Sequence, residues 1–509
     1  MLTNSDLQQI ELHGLSPKTI KKQLDTFVRG IPFANVVTAA SVGNGIEVIS
    51  HKNHQKLVDL FEKSKDNLDL VKFVPASGAA TRMFKFLHQF LIDFDPEEQN
   101  LRTFLKEGNF GELEIFLKSF KEFAFVNDIR KEIRKNFPSY KHGTKGLRAY
   151  LFVSSMLREK GLNFGNLPKG LVPFHKYAKY STTAFEEQLY EAAFYATSGD
   201  EAYLHFTFSE QHLSYFKAEF EGVKKRVSKK TKTNFNISYS FQKRETDTVA
   251  VTGYNEPVRN NQGELVFRPS GHGALLENLN EVDADVIFIK NIDNVVTEEF
   301  VEEIAYYKKM LAGKLLHIQS KMFRFLELFS NDQYDTESLK EVKSFLWNEL
   351  NIKNTPESIS GIIDLLNRPT RVCGVVKNTG APGGGPFWVK DERDETSLQI
   401  TEMTQINLKD PHQQAIVNEA THFNPVDIVC GVRDFRGKKF DLKDFSDPNS
   451  GFISSKSLNG EAIKALELPG LWNGGMANWN TAFVEVPLST FNPVKIVNDL
   501  LNKEHRPNM

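Results

Sequence analysis

Cysteine is nearly absent. Cys373 and Cys430 are the only two in 509 residues, too few for a disulfide framework and without metal-ligand spacing. No apolar run approaches the ~18 residues of a membrane span. The opening residues, Met1-Leu2-Thr3-Asn4-Ser5-Asp6, are polar and carry no signal-peptide core. An excess of one charge is missing too. Lys and Arg number 63 against 65 Asp and Glu, a formal net charge of −2, so no global field recruits nucleic acid or an anionic membrane. These absences lead to the expectation of a cytoplasmic protein with small-molecule partners, no nucleic acid and no membrane, its oligomeric state open. The one dense basic run, Lys224 to Lys232, reads as a solvated loop ahead of a strand over 235–241.

What is present supports a large core: 40% of residues are apolar and 25% charged, enough for about two to four structural units. Strand and helix patterns alternate over much of the chain, which predicts an α/β fold with a doubly wound, mainly parallel sheet. The expected organisation is a helical arm over 1–60 and an α/β core over 61–310. A helical insertion at about 96–165, rich in Phe, Leu, Glu and Lys at helical spacing, interrupts that core. A helical segment over 311–365 follows, and 366–509 returns to strands.

Three segments carry the chemistry. The first, Val74-Pro75-Ala76-Ser77-Gly78-Ala79-Ala80-Thr81-Arg82-Met83, joins an apolar strand to an amphipathic helix. A loop of small residues there lets backbone N–H groups and a helix N-terminus approach a phosphate, and Arg82 adds a bidentate cation. Lys85 lies one turn further on. The loop has neither a Walker ending nor G-x-G-x-x-G spacing, and a plain packing turn explains it about as well. The second segment is Pro168-Lys169-Gly170-Leu171-Val172-Pro173, where flanking prolines stiffen the backbone that carries the Lys169 ammonium. The third is Ser270-Gly271-His272-Gly273, followed by the apolar strand Val286-Ile287-Phe288-Ile289 and then Asn291-Ile292-Asp293-Asn294. Asp293 lies beyond the carboxyl end of that strand, where ligands bind in open α/β sheets.

Together these segments resemble the sugar nucleotidyltransferase superfamily. Ala80-Thr81-Arg82 is similar to the Gly-Thr-Arg of its phosphate loop, and Pro168-Lys169 begins a segment similar to its Pro-Lys-x-Leu-x-Pro signature. Gly271-His272-Gly273 with Asn291-Ile292-Asp293-Asn294 resembles elements of the uridylyltransferase branch. Ser77 and Ala80 depart from the family's glycines. The whole chain also resembles an uncharacterised bacterial family of about this length. The resemblance implies a nucleotide-diphospho-sugar transferase-like, GT-A-type core that joins a nucleoside triphosphate, UTP favoured, to a sugar 1-phosphate with Mg2+. It assigns Arg82 and Lys169 to catalysis, where Lys85, three residues along the helix from Arg82, is placed to assist, and Ala76, Ser77, Gly78, Ala79, Thr81, Gly271, His272 and Gly273 to the nucleotide. Asp293 and Asp427 are assigned to the metal.

In the last third, Gly380 to Pro386 holds four glycines and two prolines and is expected to be a ligand loop rather than the interior of an element. Gly383 and Gly384 there are expected at the sugar; Glu402 resembles the acidic residue that holds sugar hydroxyls in the family and reads equally as a salt-bridged strand-edge carboxylate, and Asn424 lies in a segment similar to the family's second acceptor-rich turn. Thr421 to Ile428, with His422, Asn424 and Asp427, is expected to be an acceptor-rich turn. The Trp472 to Trp479 segment reads equally as a carbohydrate loop or a C-terminal closure. Two other functions stay open: a glycosyltransferase using Asn291-Ile292-Asp293 as its metal motif, and a nucleotide-binding regulator without catalysis.

Overall fold

The helix ends follow single residues. Ser16 accepts the Thr19 N–H at 3.0 Å and Pro17 occupies the first turn of the helix Pro17–Arg29. Thr183 caps Ala184–Tyr195 in the same way, accepting from the Glu186 N–H at 3.1 Å. This computed structural model describes residues 2–78, 80–108, 110–380, 383–458 and 461–507. Among the described residues no helix is long and apolar enough to cross a membrane.

The chain is mixed α/β and divides into two units, each assembled from three stretches. The first comprises Met1–Phe73, Ser240–Ile289 and Tyr307–Leu488. Its sheet runs in the order Ser41–Val42, Gly45–Glu47, Asn480–Glu485, Thr370–Lys377, His422–Gly431, Val286–Ile289 and the strand that begins at Leu70. Described neighbours are parallel except at His422–Gly431, which runs antiparallel to the strands on both sides. Val286–Ile289 is buried throughout, as a continuous apolar run in a covered sheet should be. One core packs Phe73, Ile287, Ile289, Cys373, Ile428 and Phe483 against Leu275 and Leu279 of the helix Leu275–Glu281, which precedes Val286–Ile289.

The second unit comprises Val74–Tyr239, Lys290–Tyr306 and Ser489–Met509. Between residues 100 and 160 it carries the helices Leu101–Glu107, Gly111–Ser119, Val126–Asn136 and Lys145–Leu157. Its phenylalanines form the packing: Phe90, Phe94, Phe104 and Phe110 make a chain of ring contacts between 4.5 and 6.1 Å.

Three expectations need correction. The run Lys224–Lys232 is not a loop but the end of the helix Leu213–Thr231, with Lys232 in the left-handed cap position. Lysine and arginine are good helix formers and favourable at the negative end of the helix dipole. Residues Gly384, Gly385 and Pro386 lie in the strand Gly384–Lys390, paired with Thr396–Glu402 and, from Phe387 on, with Asn35–Ala39. Pro386 sits where the ladder to Asn35–Ala39 stops: its carbonyl still accepts the Ala40 N–H at 3.0 Å, and its missing N–H ends the pairing there. Residues 422–428 form part of a strand rather than a turn. Val426 has φ of 60°, and the register against Thr370–Lys377 shifts between Gly374 and Val376. A bulge absorbs the local turn chemistry.

Candidate functional site

In the second unit, the strand ending at Pro75 is followed by the 76–82 loop. Ala76 N–H is taken by Thr207 O at 2.8 Å, which fixes where the loop leaves the strand. Beyond it the chain makes a single turn, Ala80–Arg82, before the helix Lys85–Asp93. Ser77 and Gly78 are exposed, and among the described residues their N–H groups donate to no backbone carbonyl. A Cβ at Gly78 would meet nothing within 4 Å. Ala79 lies outside the described residues. Thr81, Arg82 and Lys85 are exposed, and among the described residues neither cation pairs with a carboxylate.

The 167–169 segment is clamped to this loop through the backbone. Ala80 N–H donates to Leu167 O at 3.2 Å, and Lys169 N–H donates to Gly78 O at 3.1 Å. Pro168 holds the chain extended, at φ −58° and ψ 139°, just before Lys169. The Lys169 Nζ then reaches Asp293 Oδ2 at 2.6 Å, with side chains 12% and 14% exposed. Asp293 is itself fixed by its backbone. Ile292 N–H donates to Pro75 O at 3.3 Å, Val494 N–H donates to Asp293 O at 3.1 Å, and Gln188 donates to the Asn291 and Ile292 carbonyls. Three segments far apart in sequence, the loop, Lys169 and Asp293, therefore meet in one place. A small-residue loop, two cations that pair with no carboxylate among the described residues, and a reachable lysine–carboxylate pair can hold a polyanion.

The first unit gathers a different set. His272 Nδ1 accepts the Leu471 N–H at 3.0 Å, which leaves the ring proton on Nε2 to be donated to Glu402 Oε1 at 3.0 Å. The ring stacks on Trp472 at 4.2 Å between centroids, with 8° between planes. Burial pushes the Glu402 carboxyl up, but hydrogen bonds from His272 and Trp472 outweigh it and hold the group below its ordinary range. The glycines of this turn face protein. A Cβ on Gly273 would lie 2.5 Å from Pro469 O, and one on Gly271 would lie 2.1 Å from the Glu467 carboxylate. Gly383, at φ 149°, is covered by the Phe423 ring, and Gly384 by Ile400 and Thr401. Asn424 is buried and accepts the Val426 N–H at 2.9 Å across the bulge.

Asp427 is buried and ion-paired with Lys308. A carboxylate so enclosed is not placed to hold a metal against a diffusible phosphate, so the expectation for this residue needs correction. Asp293 does fit. Mg2+ takes one or two carboxylates and completes its shell with water and phosphate oxygens, and Asp293 is a reachable single carboxylate beside the loop. Among the described residues no group of three or more His, Cys, Asp and Glu could form an all-protein cage.

Sequence reading missed a buried polar network in the second unit. The helix Ala184–Tyr195 buries Glu186, Glu187 and Glu191 together with its apolar residues. Glu187 accepts from His175 at 2.8 Å, Thr182 at 2.5 Å and Tyr177 at 3.1 Å, and His175 also meets His505 at 3.0 Å. Burial, reinforced by His175, brings His505 down to about 3, so that ring is neutral. Glu191 pairs with Lys290 at 2.7 Å in full burial. The available signal was Lys290 directly after an apolar strand, and acids inside a helix without a polar face.

A family model described as "Domain of unknown function (DUF4301)" matches residues 3–506. No curated protein matches the chain. Among solved structures, the chain is similar to a mutant UDP-glucose pyrophosphorylase from Leishmania major in complex with UDP-glucose. The two are 12% identical with a TM-score of 0.43, over 98% of this chain and 79% of that one. A further mutant of the Leishmania major enzyme is 11% identical with a TM-score of 0.42, over 98% of this chain and 77% of the other.

Proposed function

The chain belongs to the family described as a domain of unknown function (DUF4301), and we propose that it is a nucleotidyltransferase that joins a nucleoside triphosphate to a sugar 1-phosphate. The observation that supports this reading is the Lys169–Asp293 pair, held at 2.6 Å beside a loop whose own backbone is bonded to Lys169. An ion pair at the mouth of an open small-residue loop can exchange partners. Lys169 would turn to a phosphate, and Asp293 would be released to hold Mg2+ against phosphate oxygens. The bound ion would supply charge neutralisation on the triphosphate.

In this reading an oxygen of the sugar phosphate attacks the α-phosphorus in line, and the bond to the β-phosphate breaks to release pyrophosphate. Positioning and charge stabilisation carry such a step. Arg82 and Lys85 would hold the leaving phosphates, while Ala76, Ser77, Gly78, Ala79 and Thr81 frame them. Lys169 would steer the attacking phosphate. UTP is the first choice of triphosphate.

The test is pyrophosphate release by the full chain with Mg2+, across a panel of nucleoside triphosphates and sugar 1-phosphates. Turnover is expected with UTP and at least one sugar phosphate. Lys169→Ala and Asp293→Asn should each lower it by on the order of a hundredfold to a thousandfold. No turnover with any pair, together with no nucleotide binding in calorimetry, overturns the reading.

A further inference from the structure

Independently of that reading, we propose that the helical insertion binds a small amphipathic anion: a hydrocarbon body carrying a phosphate or carboxylate head. A cavity of about 870 Å³ opens there among the helices Gly111–Ser119, Val126–Asn136 and Lys145–Leu157, a size within the range of small-molecule sites. Leu117, Ile133, Ala149 and Phe152 give it an apolar floor. Its charged lining has one sign only. Lys121, Arg130, Arg134, Lys141, Lys145 and Arg148 surround it, and no carboxylate does. In a chain with 63 basic and 65 acidic residues, that segregation does not follow from composition.

Four acids of this region are engaged elsewhere. Glu114 pairs with Lys118 at 2.7 Å, Glu122 with Arg506 at 2.8 Å, Glu112 takes Asn498 at 2.6 Å and Glu132 takes Asn136 at 2.5 Å. Among the described residues none of the six cations has a salt-bridge partner. Two are held in place all the same. Arg134 Nε donates to Arg130 O at 3.1 Å, and the Arg130 guanidinium stands 5.9 Å from the Phe120 ring centre. Burial pushes the Tyr140 phenol up, while the nearby Arg148 and Arg130 draw it down. Six like charges gathered around an oily floor repel one another unless an anion joins them. The floor adds what an inorganic ion cannot use, so the complementary ligand has a charged head and an apolar body.

The experiment is calorimetric titration of the full chain with dodecyl phosphate and with dodecanoate, each below its micelle concentration. One saturable site per chain is expected. Binding should weaken by about fourfold for each methylene removed, as expected of a buried hydrocarbon. Inorganic phosphate and dodecyltrimethylammonium should give no saturable heat. Arg130→Ala with Arg148→Ala should weaken binding roughly tenfold, with circular dichroism to show that the variant remains folded. If it does not, the chain-length series and the cationic control still decide. No saturable binding, equal binding of the cation, no dependence on chain length, or sedimentation with anionic vesicles without binding of the free amphiphile would each overturn the proposal.

Discussion

Gly78 and Gly273 both lie in small-residue turns before helices, yet they answer to different constraints. A side chain at Gly78 would point into open space, whereas one at Gly273 would collide with Pro469 O at 2.5 Å and Leu468 O at 2.8 Å. Gly78→Ala should leave urea stability within about 0.5 kcal/mol of the parent, while Gly273→Ala should lose about 1–3 kcal/mol. If Gly78→Ala nevertheless weakens nucleotide binding, the loop is a ligand surface and not a packing turn. Lys169 and Asp293 were legible as candidates because a proline-stiffened lysine and an acid past a buried strand are recognisable without coordinates. His175, Glu187 and His505 were not, since 330 residues separate the two histidines in the chain. Nothing local distinguishes a relay of that kind from ordinary core polar residues.

At the scale of elements, burial overrides polarity along Ala184–Tyr195. Lys290→Ala would leave Glu191 without its lysine partner at a site where the two side chains are 0% and 1% exposed. The expected loss is about 3–5 kcal/mol in urea unfolding. A more exposed network joins Glu298–Ser330 to Thr336–Leu350. Burial pushes the Glu349 carboxyl up, but hydrogen bonds from His317 and Lys321, with Lys314 close by, bring it down to about 2. A depressed carboxyl contributes stability that is complete above its unfolded value of 4.5 and is lost as the pH falls through about 2. Glu349→Gln should therefore cost about 1 kcal/mol at pH 7, the value of a partly exposed network, and progressively less below pH 4.5. Equal costs at pH 7 and pH 3 would contradict the assignment. Long periodic helices and the strand Val286–Ile289 were readable because their burial pattern is continuous. The strands over 384–390 and 422–431 were not. Their glycines, Pro386 and Val426 are accommodated by partners distant in sequence, and strand propensity depends on those partners.

At the scale of the whole chain, α/β alternation was legible, but the division into two units of three stretches each was not. Loop lengths do not reveal which segments return to an earlier core. Residues 489–509 illustrate this. Val497 N–H donates to Met83 O at 3.0 Å, Val494 N–H to Asp293 O at 3.1 Å, and His505 meets His175 at 3.0 Å. Ending the chain after residue 488 should strip amide-exchange protection from Glu201–Phe208 while leaving that of Thr370–Lys377 largely in place. Equal loss in both strands would show that the two units unfold as one.

The bond from Val497 to Met83 also sets an order of events during synthesis. The helix behind the small-residue loop leaves the ribosome some 400 residues before the segment that fastens it, at about 5–20 residues per second. For tens of seconds the nascent chain can hold this loop only through its bonds to Leu167, Lys169 and Thr207, and the bond from Val497 is added last.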